Sequence, residues 1–181
     1  MRLKQHSGEV LLADEKIVRV GQPEIAAVQA AVEQSTRGRS RICAHRDTSD
    51  LLHEMFIVLS RATYIRPHRH FGKSESFHII QGELDVVIFD EQGLVADVVE
   101  MGCYGSSRDF FYRLADPLFH TVLVRSETVV FHETTNGPFR REDTQFAPWS
   151  PAETEKVDVE DYIHRLGASV EAFLAVPTAK S

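Results

Sequence analysis

Hydrophobic and polar residues alternate with a period of two between residues 40 and 150. This alternation predicts half-buried β-strands near residues 55–60, 64–67, 76–81, 83–90, 95–100, 110–114, 120–124 and 128–134. Turn sequences separate the strands, for example Gln81-Gly82-Glu83 and Asn136-Gly137-Pro138. Many short strands without intervening helices predict a sandwich or a closed barrel, not a parallel α/β sheet.

The N-terminal part of the chain has a different pattern. Residues 1–21 alternate only weakly, and we expect one or two strands there at the edge of the barrel. Ile25, Val28 and Val32 then recur at helical spacing between Pro23 and Gly38. This spacing predicts a short amphipathic helix.

A second helix is predicted after residue 153, with Asp158 at its N-cap. Its apolar stripe consists of Val159, Tyr162, Ile163, Leu166, Val170, Phe173 and Leu174. Such a stripe indicates packing on the outside of the barrel or on a partner subunit. The expected parts are therefore an N-terminal extension with a helix (1–39), a barrel (40–153) and a C-terminal helix with its tail (154–181).

Length and composition fit one globular domain. The chain has 181 residues, and 43% of them are hydrophobic, which is enough for a core. No segment reaches the roughly 18 apolar residues of a membrane span. Charged residues interrupt the first twenty positions, so we expect no signal peptide and a cytoplasmic location. Cys43 and Cys103 lie far apart and are expected to be reduced, mostly buried thiols.

The charge balance restricts the class of partner. Twenty Lys and Arg against 27 Asp and Glu give a formal net charge of −7. Nucleic acid is a poor partner for such a chain, because phosphate binding requires a basic face. A small-molecule substrate is the expected partner. The unusual feature of the composition is nine histidines.

Candidate chemistry is concentrated between residues 66 and 75. In a strand, side chains at i and i+2 point to the same face, so His68 and His70 can both point into a barrel. Gly72 permits a bend, and Glu75 then opens the next strand. Imidazole with carboxylate is a usual ligand set for zinc, iron, manganese or nickel.

A further ligand must come from elsewhere, and His120 is the candidate. It opens an apolar strand just after the Asp116-Pro117 turn, so we expect it at a mouth of the barrel. We predict one divalent metal ion held by His68, His70, Glu75 and His120. An HxH pair alone is weak evidence, but its combination with Glu75 and His120 is more specific. This set leaves one or two positions for water, substrate or dioxygen, as catalytic sites do.

The spacing His68-x-His70-x4-Glu75-x6-Gly82 resembles the first cupin motif, with His120 as the histidine of the second. More narrowly, residues 23–153 resemble the WbuC-type cupin-fold metalloproteins. The matching segments are 64–70, 80–86, 120–122, 137–139 and 146–153. The resemblance implies a mainly β, cupin-type jelly-roll barrel with a short N-terminal helix and a metal site. Such proteins occur with genes for surface-polysaccharide assembly.

Two departures from the general cupin pattern bear on the site. Ala62 stands where the first motif usually has glycine, which affects only a turn. The second motif usually has Pro-x-Gly before its histidine, whereas here Asp116-Pro117-Leu118-Phe119 precedes His120. The loop that leads to His120 could therefore sit differently and change access to the metal.

Several basic residues are candidate substrate contacts. We assign Arg66, Arg41 and His45 to substrate binding, because arginine forks suit carboxylate or phosphate groups. Arg37 and Arg39 share a face with Arg41 if that segment is extended. An anionic substrate, such as a nucleotide sugar or sugar acid, follows as a hypothesis. The alternative is a solvated or subunit-bridging cluster paired with acidic groups.

Tyr64 and Glu133 are the candidate catalytic residues. Tyr64 shares a face with His68 if the strand is regular, and it could donate a hydrogen bond in the cavity or simply belong to the core. Glu133 matches a recurrent acidic position in the WbuC-like pattern and could act as a base beside the metal. The histidines expected at the surface are His6, His53, His78 and His164.

Three functions are compatible with these residues. The first is a metal-dependent isomerase or epimerase that acts on a small carbohydrate-related molecule. The second is an iron-dependent oxygenase that uses the same ligands. The third is a non-catalytic sugar- or metal-binding sensor. By analogy with cupins that pair through sheet edges, we expect a homodimer.

Overall fold

The computed structural model describes residues 2–176, and this range contains twelve strands and two α-helices. The strands are β1 (Leu3–Gln5), β2 (Val10–Ala13), β3 (Arg39–Cys43), β4 (Leu52–Ser60), β5 (His68–His70), β6 (Glu75–Gln81), β7 (Leu84–Phe89), β8 (Val95–Met101), β9 (Phe111–Leu114), β10 (Phe119–Val124), β11 (Thr128–Asn136) and β12 (Thr144–Phe146). The helices are α1 (Gln22–Gln34) and α2 (Lys156–Leu174). The last residues of the predicted tail lie outside the described residues.

The strands form two sheets. One has seven strands in the order β1-β2-β3-β4-β11-β6-β9, and the other has five in the order β12-β5-β10-β7-β8. Neighbouring strands are antiparallel except β2 and β3, which run parallel. The predicted fold class, a mainly β cupin-type jelly roll with an N-terminal and a C-terminal helix, is confirmed.

The main core lies between the two sheets. Its buried members are Leu59, Phe77, Ile79, Leu84, Val86, Ile88, Met101, Tyr112, Val122, Val124, Val129 and Phe131. These residues come from β4, β6, β9 and β11 on one side and from β7, β8 and β10 on the other. Alternation in each strand therefore directs one set of side chains inward, as the sequence pattern predicts.

Each helix covers the outer face of one sheet. Val28 and Val32 of α1 pack against Ile42, Val58 and Val130 of the seven-stranded sheet. Leu166 and Val170 of α2 pack with the second buried cluster, which includes Val87, Phe89, Phe119 and Ala147. The predicted position of the C-terminal helix on the outside of the barrel is thus confirmed. Because both faces of β7 are covered, all six of its residues are buried.

Two local predictions are wrong, and two strands were missed. The segment 64–67 is not a strand, and β5 begins only at His68, because Pro67 has no N–H to contribute to a ladder. The N-cap of α2 is Glu155 and not Asp158, since the Glu155 carbonyl accepts the first helical bond from the Val159 N–H. Strands β3 and β12 were not predicted.

Candidate metal centre and its cavity

The predicted ligands converge between the two sheets. His68 and His70 lie on β5, and His68 is the direct cross-strand neighbour of His120 on β10. Glu75 is the first residue of β6, in the opposite sheet. The five-stranded sheet thus supplies three imidazoles, and the seven-stranded sheet supplies the carboxylate that faces them.

One ring nitrogen of each imidazole is held by a neighbouring oxygen. The Nδ1 atom of His68 lies 2.8 Å from the Arg66 carbonyl, and that of His120 lies 2.9 Å from the Leu118 carbonyl. Because a carbonyl only accepts, Nδ1 carries a proton in both rings, and Nε2 is the atom left to bind a metal ion. Nδ1 of His70 lies 3.0 Å from the Thr144 hydroxyl, which permits the same arrangement.

The remaining atoms form a compact donor set. One ring nitrogen from each of His68, His70 and His120 lies within 4.8 Å of the others. Nε2 of His120 is 3.0 Å from Oε1 of Glu75, and Nε2 of His70 is 3.7 Å from its Oε2. Within residues 2–176, neither Glu75 Oε1 nor His120 Nε2 makes a hydrogen bond, although both atoms are buried.

Oε1 of Glu75 and Nε2 of His120, buried 3.0 Å apart, repel each other unless a proton or a metal cation lies between them. A divalent cation would supply that charge, and the ring nitrogens of His68, His70 and His120 lie close enough together to hold it. The residues present therefore fit a metal ion of the type held by imidazole and carboxylate.

Electrostatics set the protonation states of the candidate ligands. Burial foremost, together with the neighbouring His120 and His70, lowers the pKa of His68 to about 4, so this ring is neutral at pH 7. Burial acts to raise the pKa of Glu75, but the neighbouring imidazoles, His120 foremost, outweigh it, and the pKa is lowered. Glu75 is accordingly an anion. Burial acts to lower the pKa of His120, but the charge of Glu75 outweighs it, and the pKa is raised. A metal ion bound here would displace the proton that His120 Nε2 tends to hold in the metal-free chain.

The metal centre opens into a cavity of about 690 Å³ that lies over the inner face of the seven-stranded sheet. Three of the predicted substrate or catalytic residues, Arg41, His45 and Glu133, line this cavity together with all four candidate ligands. Burial, and then the charge of Glu75, raises the pKa of Glu133 to about 8. This carboxyl group therefore retains a proton near neutral pH in the metal-free chain.

Tyr64 and Arg66 lie elsewhere. The Tyr64 hydroxyl donates to the Pro151 carbonyl at 2.9 Å, and the Arg66 guanidinium donates to the Ser150 side chain and carbonyl at 3.1 and 3.0 Å. Neither residue lines the cavity, whereas Ile65 does. Strand alternation does not apply here because residues 64–67 are not in a strand. The structure does not bring Tyr64 or Arg66 to the site, and we do not assign them to it.

The arginines on the cavity wall differ in their partners. Arg37 and Arg39 both form ion pairs with Glu9 and Glu153, and Arg39 Nη2 lies 3.1 Å from Glu153. Within residues 2–176, Arg41 makes no such ion pair, and it lies near enough to Glu133 to act on the pKa of that group. Arg41 is thus the arginine that remains available to an anionic ligand.

His53 is a cavity residue that the sequence reasoning missed. It was expected at the surface, and this prediction is wrong, because only 5% of its surface is exposed and it lines the cavity. It stacks on His45 with a centroid distance of 4.0 Å and an interplanar angle of 5°. Strand alternation could have identified it. β4 begins at Leu52, and in this strand His53 points to the same face as Met55 and Ile57, which also line the cavity.

Comparisons with known proteins agree with the fold. Residues 20–101 match a family model described as "Domain of unknown function (DUF6016)". The chain is similar in structure to the protein SO0799 from Shewanella oneidensis, with a TM-score of 0.53 and 11% identity over 66% of this chain and 82% of that one. No curated protein sequence matches.

Two further solved structures resemble the chain more distantly. One is the cupin domain of Cnp3 from Schizosaccharomyces pombe, with a TM-score of 0.42 and 12% identity over 54% of this chain and 64% of that one. The other is the capsular polysaccharide assembling protein CapF from Staphylococcus aureus, with a TM-score of 0.47 and 16% identity over 62% of this chain and 30% of CapF. Neither described helix is long and apolar enough to cross a membrane.

Proposed function

We propose that this chain is a metal-dependent enzyme of the cupin kind that acts on a small, anionic, carbohydrate-related molecule. It would bind one divalent ion, of zinc, iron, manganese or nickel, through His68, His70, Glu75 and His120. Isomerisation or epimerisation is the proposed reaction type. A cytoplasmic homodimer with a role in surface-polysaccharide biosynthesis completes the proposal, and this last part rests on the WbuC resemblance.

The observation that carries the proposal is the cluster of ring nitrogens from His68, His70 and His120 within 4.8 Å of one another, with buried Glu75 Oε1 3.0 Å from His120 Nε2. An ordinary core would pair such atoms with hydrogen-bond partners. Here the Nδ1 atoms of His68 and His120 already have their partners, and the Nε2 atoms are left for a cation.

Two cavity residues would act on the substrate. Arg41 would bind the anionic group, because its guanidinium has no carboxylate partner within residues 2–176. Glu133 would hold and move a proton at the reacting carbon or oxygen, since burial keeps this carboxyl protonated near neutral pH. The metal, when bound, would polarise a carbonyl or hydroxyl oxygen of the substrate.

Metal analysis of purified protein tests the proposal. We expect about one divalent ion per wild-type chain and a loss of most of it in H68A and in E75A. H78A is the matched control, because His78 is exposed on the outer face of β6 and should bind metal like the wild type. Equal metal in the wild type, H68A and E75A would falsify the four-ligand scheme.

Assays on the loaded protein separate the reaction types. Uptake of deuterium into a sugar from deuterated water supports isomerisation or epimerisation. Consumption of dioxygen by the iron-loaded protein supports the oxygenase instead. A ligand-induced rise in Tm without any product supports a binding module.

A further inference from the structure

The cavity has a polar row that extends away from the metal centre. Thr135 of β11 is the cross-strand neighbour of Glu75 on one side and of His53 on the other, and His53 stacks on His45. All four residues line the cavity. Two strand spacings separate the backbone of Glu75 from that of His53, or about 10 Å. The row therefore leads from the candidate ligand Glu75 to a pair of histidines that the metal does not use.

His53 carries an unsatisfied buried nitrogen. Its Nε2 has no hydrogen-bond partner within residues 2–176, and the side chain lies in the cavity wall. Buried polar atoms in folded proteins are almost always paired. Because this nitrogen is shielded from water, a cavity ligand with a hydroxyl group would supply the missing partner after a small shift of the ring.

His45 presents a second ring nitrogen at the same place. Its Nδ1 lies 3.2 Å from both the N–H and the carbonyl of Glu54. Either tautomer satisfies that contact, so Nε2 can donate to a ligand or accept from it. Within the described residues, Nε2 of His45 has no hydrogen-bond partner.

The surroundings of this histidine pair suit a neutral, hydroxylated group. Burial lowers the pKa of His53, and the nearby His45 and Lys73 lower it further, so the ring is uncharged at pH 7. Lys73 is held by the Pro138 carbonyl at 2.9 Å and by Asp143 at 3.5 Å. Asp47 also lines this part of the cavity and disfavours a second anion.

The adjoining wall adds features typical of sugar sites. Thr48 and Thr135 contribute hydroxyl groups, and Phe139 exposes 56% of its surface. An exposed aromatic ring can pack against the C–H face of a sugar. The Phe139 N–H donates to the Thr48 carbonyl at 2.8 Å, which holds these two residues together.

The charged end of the cavity lies in the other direction along β3. Arg41 and His45 are four residues apart in extended chain, or about 13 Å. Arg41 offers a cation to an anionic group, whereas the histidine pair offers ring nitrogens that can donate or accept hydrogen bonds. The two ends of the cavity thus differ in the chemistry that they recognise.

We propose that His45, His53, Thr135 and Phe139 form a sugar subsite, and that the ligand lies with its hydroxyl-bearing ring here and its anionic group at Arg41. This inference deepens the proposed function and rests on its substrate class. It predicts that the two ends contribute separately to binding. Neutral hexoses would use only the histidine end, and hexose phosphates would use both.

Ligand-observed NMR titrations test the subsite with glucose, galactose, mannose and their 6-phosphates as probes. We expect H53F to weaken binding of the neutral sugar and of its phosphate by the same factor, tenfold or more. R41M should weaken only the phosphate. H53Q, which keeps a donor and an acceptor, should restore part of the affinity, and H78F on the outer face should bind like the wild type.

The proposal is overturned if none of the probes binds the wild type, if H53F binds them as the wild type does, or if R41M weakens neutral sugars equally. H45F replaces H53F as the test variant if the latter does not fold, as judged by circular dichroism. Each titration is repeated on metal-free protein, where the His53 dependence should persist. A chain without metal but with His53-dependent sugar binding would refute the proposed enzyme and support the subsite.

Discussion

His68 and His120 lie directly opposite each other on the antiparallel strands β5 and β10, and their ring centroids are 4.6 Å apart. The two residues are 52 positions apart in the sequence, and the strand register alone brings them together. His70 joins them from the same strand, two residues beyond His68. The candidate metal centre is therefore built on sheet backbone, which holds side chains more rigidly than loops do.

The hydroxyl of Thr144 should tune the metal site. Thr144 pairs with His70 across β12 and β5, and its Oγ1 holds Nδ1 of that ring at 3.0 Å. We expect T144V to weaken metal binding about tenfold, because the His70 ring loses its orienting partner. Competition with a chromophoric chelator measures the change. T134V removes a hydroxyl from the β11 position next to the inward-facing Thr135, and unchanged affinity there would localise the effect to Thr144.

The carboxyl group of Glu133 should make stability depend on pH in the metal-free chain. Its pKa is raised from 4.5 to about 8 by burial and by Glu75, so the folded state binds the proton more tightly than the unfolded state. Wild-type stability should accordingly fall as the pH rises from about 4.5 to about 8. E133Q has no carboxyl group to ionise at this position, so it does not lose stability in this way. Its free energy of unfolding should exceed that of the wild type by more than about 1 kcal/mol at pH 8, and the difference should shrink toward pH 5.

Urea denaturation of chelator-treated protein at several pH values measures this difference in the free energy of unfolding. A difference between E133Q and the wild type that stays constant from pH 5 to pH 8 contradicts the prediction. E83Q is a suitable control, because the Glu83 side chain is 47% exposed and pairs with Arg108 away from the cavity.

Asp85 should be a stability residue without any role in metal binding. Its side chain is 1% exposed and forms ion pairs with Arg108, at 2.8 Å, and with Arg125. We expect D85A to lower the free energy of unfolding by about 3 kcal/mol, because two arginines lose a buried counter-charge. D97A changes an exposed carboxylate on the neighbouring strand β8 and should cost far less. A loss of bound metal in folded D85A would show that this network also supports the site.

The hydroxyl of Tyr64 should matter for packing only. It donates to the Pro151 carbonyl at 2.9 Å, and the ring makes an edge contact with Tyr162 at a centroid distance of 5.9 Å. Y64F should therefore cost about 1 kcal/mol of stability and leave metal content and sugar affinity unchanged. Thermal unfolding and the NMR titrations described above check both parts. A large fall in the sugar affinity of Y64F at unchanged stability would contradict this prediction and indicate that Tyr64 contacts the ligand.

The sequence by itself determined the fold class and where the candidate ligands lie in the chain. Alternation of apolar and polar residues is a local property, and it predicted most of the strands and the outward position of His78. The i, i+2 spacing of His68 and His70 likewise follows from the geometry of any strand. The alternation wrongly predicted a strand at residues 64–67, because Pro67 prevents a regular strand there.

Only the tertiary structure decided which distant residues meet. The pairing of His120 with His68, the stacking of His53 on His45 and the separation of Arg41 from the paired Arg37 and Arg39 all depend on strand register and sheet order. Register is set by the burial of whole faces across many strands, and no single segment encodes it. Local pattern therefore fixes which face a side chain takes, while the packing of two sheets decides what that side chain faces.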